Sequence, residues 1–163
     1  MDQDLQHRLD CVSALQAALR DGRPRPDKMT AWYCASALLD AEGGPEDVAA
    51  QVREIHGEII DQIGRSRAPT GEMRWAYAAM LAARGLGVDE LISHRAAIRE
   101  TWKSSDAYKK TGRPHAGGSR AALVLSVCGL EPGGGARAFF DMKVQLNPPC
   151  WRSDPGVTDL YCA

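Results

Sequence analysis

Phenylalanine is nearly missing from this 163-residue chain: there are two, and aromatic residues together make up 6%. A core here must come from aliphatic and alanine packing rather than from stacked rings. A dominant charge is missing as well. Twenty basic residues stand against twenty-one acidic ones, for a net charge of −1. No global field recruits nucleic acid or a membrane surface, so a charge-driven partner would need a local patch. No apolar run approaches the ~20 residues that cross a bilayer, so neither a spanning helix nor a membrane partner is expected. The start, Met1-Asp2-Gln3-Asp4, has no basic stretch leading into an apolar one, so it does not read as a secretory signal. These absences point to the cytoplasm.

Chemical motifs are scarce too. Five cysteines stand at 11, 34, 128, 150 and 162, with no CxxC and no Cys/His cluster at zinc-ligand spacing. Cys150 and Cys162 bracket the C-terminal segment and could pair, but a reducing cytosol argues against it. There is no HExxH, no GxSxG and no arguable Ser-His-Asp arrangement. The sequence therefore names no metal, no cofactor and no catalytic residue. No stretch shows the two-residue alternation of a strand.

What is present is internal repetition. Ala31-Trp32-Tyr33-Cys34-Ala35 falls on Arg74-Trp75-Ala76-Tyr77-Ala78 at a shift of 43. A further 44 places Ala78, Met80, Leu81, Gly85 and Leu86 on Ala122, Val124, Leu125, Gly129 and Leu130. Val48, Val52 and Ile55 meet Leu91, Arg95 and Ile98, then Gly135, Phe139 and Met142. Leu5, Leu9 and Val12 fit one period earlier. Helical periodicity and punctuation predict seven helices, at about 4–20, 27–41, 45–63, 71–84, 88–104, 119–130 and 135–146. The clearest, 45–63, carries Val48, Val52, Ile55, Ile59 and Ile63, with Pro45 at the first helical position. The stripe expected for 4–20 is Leu5, Leu9, Val12, Leu15 and Leu19. For 27–41 it is Met29, Trp32, Ser36 and Leu39. For 71–84, behind a Thr70 cap, it is Met73, Tyr77, Met80 and Leu81.

The expected architecture is all-α: a right-handed, solenoid-like stack of αα-hairpins, each burying its apolar face on the next. Its period is similar to that of HEAT-like solenoids, a resemblance of length and pattern alone. The chain then reads as a helical-repeat domain over 1–146, with a half repeat at 4–20 and pairs at 27–63, 71–104 and 119–146. The segment 147–163, with Trp151, Val157, Leu160 and Tyr161, could cap the stack.

Three features could bind something. The first is the basic stretch 103–120, with Lys103, Lys109, Lys110, Arg113 and Arg120 against Asp106 alone. Gly117, Gly118 and Ser119 would open a helix there, so free N–H groups would face an anion with Arg113, His115 and Arg120 beside them. The string resembles a P-loop in passing, but Gly118 stands where the phosphate-binding lysine belongs and no strand precedes it. The plainer alternative is a solvated loop. The second feature is Arg95, beside His94, at a repeat position that is apolar elsewhere; it would snorkel, pair internally or touch a ligand. The third is Trp32, Trp75 and Tyr77, which would line an inter-repeat groove or fill the core. The reading this favours is a non-enzymatic module binding a protein or peptide on its concave face. The alternatives are a nucleic-acid or phosphate-ligand binder acting through 103–120, and a helical enzyme whose site the sequence does not advertise.

Overall fold

The computed structural model describes residues 3–63, 71–104 and 126–138. Among them the regular structure is helical, with no strand. Five helices carry it: α1 (Gln3–Arg20), α2 (Lys28–Ala37), α3 (Pro45–Ile63), α4 (Glu72–Ala82) and α5 (Val88–Ser104). Helical backbone also covers 126–128 and 134–138. The chain forms two compact units, Met1–Val88 and Asp89–Ala163.

In the first unit, α1 packs against α2 and α3, and α4 packs against the same two helices. The four therefore close a ring in the order α1, α2, α4, α3. Helix α3 is the spine, and its sequence explains why. Pro45 opens it with a preset φ, and Glu46 and Asp47 face the positive end of the helix dipole. Val48, Val52, Ile55, Ile59 and Ile63 are all buried, as their spacing predicts. Ala49 and His56 widen the stripe, so α3 can meet two helices at once.

Helix α2 corrects the expected register. Met29, Trp32 and Ser36 are exposed and Leu39 is half-buried. The buried residues are instead Thr30, Ala31, Cys34 and Ala35, with Leu38 just beyond the helix. Small side chains win because α2 is gripped by both α1 and α4, and close approach needs alanine-sized contacts. Asp27 caps this helix: its Oδ1 accepts the Thr30 N–H at 2.7 Å.

Helix α1 corrects the second stripe. Leu15, Ala18 and Leu19 are buried, whereas Leu5 and Leu9 are about half exposed. Geometry supplies the reason. The Arg53 side chain of α3 reaches Ala18. Leu5 lies about 20 Å back along α1 from that contact. Either end of α3 is only about 12–15 Å from Arg53. The first turns of α1 thus overhang α3 whichever way the two helices run.

Helix α4 begins after Gly71, which occupies the N-cap position with φ 52° and no side-chain cap, in place of the expected Thr70. Met73 is exposed and Met80 half-buried, while Trp75, Tyr77, Ala78, Ala79, Leu81 and Ala82 are buried. The helix closes as a Schellman turn. Leu86 N–H reaches Leu81 O at 3.0 Å and Gly85 N–H reaches Ala82 O at 2.9 Å. Gly85 sits at φ 63°, where a side chain would be strained.

In the second unit, Leu91 and Ile98 of α5 are buried, as are Val127 and Ala136. Thr101 Oγ1, near the end of α5, donates to Pro132 O at 2.5 Å. That bond ties the helix to the glycine-rich turn before 134–138.

Candidate functional site

Most of the basic stretch falls outside the described residues: Lys109, Lys110, Arg113, His115, Gly117, Gly118, Ser119 and Arg120 all do so. Lys103, at its edge, is paired with Glu100 at 2.6 Å on the surface of α5. The 147–163 segment and the anion site expected near Gly117 likewise lie outside the described residues.

A different glycine-rich helix start is described, and its donors are already taken. Glu131 accepts the backbone N–H of Gly133 and Gly134 at 2.6 Å each, and of Gly135 at 3.3 Å. Those bonds hold the carboxyl below its ordinary range, with the charge of His94 adding to the effect. The Pro132-Gly133-Gly134-Gly135 turn is thus an anion cradle filled by the chain's own carboxylate. His94 and Arg95 lie half-buried on α5. They belong to the second unit, whereas Trp75 and Tyr77 belong to the first.

Trp75 and Tyr77 are buried in α4. Trp75 stacks on His56 of α3, with ring centroids 4.0 Å apart and planes 19° from parallel. His56 is 7% exposed. Burial, then the positive charge of Arg74, pushes its pKa below the ordinary value, and Glu72 opposes them. Its position along α3 carries a signal. Position 56 follows Ile55 and lies four after Val52, on the edge of the apolar stripe.

Cys34 is buried within the same unit, and its thiol is pushed up to about 12, first by burial and then by Glu72 and Asp27. It is a packing residue, not a nucleophile. Glu72 also accepts the Asp27 N–H at 3.2 Å, so the N-termini of α2 and α4 lie side by side.

The surface feature that stands out is the outer face of α2. Met29 is 64% exposed and Tyr33 69%, with Trp32 and Ser36 also open to solvent. Positions 29, 32, 33 and 36 share one helix face. Met73, exposed in the first turn of α4, follows at the neighbouring N-terminus. Three bulky apolar side chains on a ten-residue helix are more than scattered exposure explains. Sequence periodicity missed this face by placing Met29, Trp32 and Ser36 on the core stripe.

No family model, no curated protein and no solved structure matches the chain. No group of three or more metal-ligating side chains comes together among the described residues. No helix among them is long and apolar enough to cross a membrane.

Proposed function

We propose that this chain is a non-enzymatic helical-repeat module that binds a protein or peptide through the face carried by α2 and the start of α4. The observation that carries the reading is the exposed row Met29, Trp32 and Tyr33. Aromatic rings and methionine are the side chains that make energetic anchors in interfaces, methionine because it adapts to the partner's shape.

The repeat is part of this reading. α1 lies on α3 and α2 on α4, as stacked equivalents offset by 43–44 residues would. At a shift of 43, Val48 and Leu91 are both buried, as are Ile55 and Ile98, Cys34 and Tyr77, and Leu38 and Leu81. A cytoplasmic setting goes with it, since Cys11, Cys34 and Cys128 are free thiols.

The test is selection from a displayed peptide library, followed by titration of the winning peptide. Tyr33→Asp and Met29→Asp should each weaken that peptide at least tenfold, with unfolding midpoints unchanged. A peptide whose affinity ignores both substitutions, or a selection that enriches nothing, refutes the reading. Anisotropy of labelled single-stranded and duplex oligonucleotides in low salt separates the rival. Steeply salt-dependent binding that survives Tyr33→Asp would instead support a nucleic-acid contact through 103–120.

A further inference from the structure

Among the described residues, the first unit contains one buried histidine, at a helix–helix joint that the binding reading does not use. His56 projects from α3 onto the face of Trp75 in α4, at 4.0 Å between centroids. Both residues are buried. We propose that His56 is a proton-operated lock on the α3–α4 joint: the neutral ring keeps Trp75 in the core, and the protonated ring releases it.

The argument is geometric. A neutral imidazole lying nearly parallel to an indole packs as an ordinary flat ring. An imidazolium in the same place is a cation taken out of water, and no carboxylate hydrogen-bonds it among the described residues. A face-on cation–indole contact returns only part of that loss. Two charges act on the ring, both from α4. Arg74 disfavours the imidazolium and Glu72 favours it. Along α3, the positions one turn away hold Val52, Arg53, Ile59 and Ile60. Arg53 is committed to the carbonyls of α1. Glu54 and Glu58, two positions either side of His56, do not share its face. From α1, the other helix on α3, no charge acts on the ring among the described residues.

The direction follows from linkage. A base whose folded pKa is depressed binds protons more readily in the unfolded chain. Its contribution is intact above the unfolded value, about 6.5 for histidine, and is lost as pH falls from there toward the folded value. Carboxylates titrate mainly below that window. Mild acid therefore loads this joint before it loads the surface ion pairs.

The experiment is thermal unfolding of the full chain between pH 7.5 and 5.0, for the native protein and for His56→Phe, which keeps a flat ring and cannot be protonated. The native midpoint should fall through this range, and His56→Phe should lose distinctly less. Parallel loss in the two proteins would overturn the proposal. Should His56→Phe fail to fold, ring-proton NMR of the native chain decides. One of the four histidines, assigned as His56 by its contact with Trp75, should titrate below the ordinary range. Tryptophan emission should shift to the red over the same interval. A His56 ring that titrates at or above about 6.5, or emission that stays constant while it titrates, overturns the lock.

Discussion

Arg53 closes the C-terminus of α1. From the middle of α3, its Nη2 donates to Ala18 O at 2.5 Å and also to Asp21 O. The last carbonyls of a helix have no partner within it and carry the negative end of its dipole. A guanidinium from the neighbouring helix satisfies two acceptors at once. Arg53→Met keeps the apolar stem and removes the donors. It should destabilise the first unit by about 2 kcal/mol, the scale of charged hydrogen bonds. Arg53→Lys should recover part of that loss. Urea unfolding followed by circular dichroism reads both.

Ile55 is 4% exposed, mid-stripe on α3. Ile55→Ala should cost about 2–5 kcal/mol, from lost burial plus the cavity left behind. Leu5→Ala, on the α1 stripe at the position that Val48 takes one period later, should cost under about 0.5 kcal/mol because Leu5 is half exposed. Equal costs would mean that α1 is covered along its full length.

Trp32 and Trp75 invite the same treatment, since the repeat superposes them. Trp32→Ser should cost much less than the equivalent change at Trp75, because Trp32 is 37% exposed on the outer face of α2. Trp75→Ser should be severe, by roughly 3–5 kcal/mol for loss of a buried aromatic. Denaturant titration of the two variants side by side checks the contrast. This pair also shows where sequence reading stopped. The repeat aligns the two tryptophans, but the helix faces they occupy differ. The aligned string does not say which side of α2 its neighbours cover.

Asp27 caps α2, and its bonds to the Thr30 N–H hold its carboxyl below the ordinary value. A carboxylate with a depressed folded pKa stabilises above its unfolded value, about 3.9, and that stability is lost as pH falls through the folded value. Asp27→Ala should lower the melting temperature at pH 7. The gap between native and variant should narrow as the pH is taken below 4. Calorimetry over that range reads it, and a constant gap would mean the carboxylate charge is not what caps the helix.

Glu131 fills the cradle formed by Gly133, Gly134 and Gly135. Glu131→Ala should release those three N–H groups, so their amide hydrogen exchange should speed up while that of α5 stays slow. Protection that survives the substitution would mean the turn is held by Thr101 and the backbone alone.

The sequence by itself determined the helical class, the position of most helices and the register of α3. Those properties are local: apolar spacing, Pro45, and the glycine at Gly85 act over a turn or two of chain. Helix α3 was legible because large aliphatics on one stripe have a single way to be buried. Helix α2 was not. Its alanines and Cys34 fit the core as well as Met29 and Trp32 would, and only contact with α1 and α4 on one side selects the small face. The same holds for His56. Its place at the stripe edge, two residues from Glu54 and from Glu58, suits surface and core alike, and it becomes core because α4 brings the flat face of Trp75 against it. Tertiary structure decided these matters because close approach and ring stacking depend on the partner helix, which no short stretch of sequence contains.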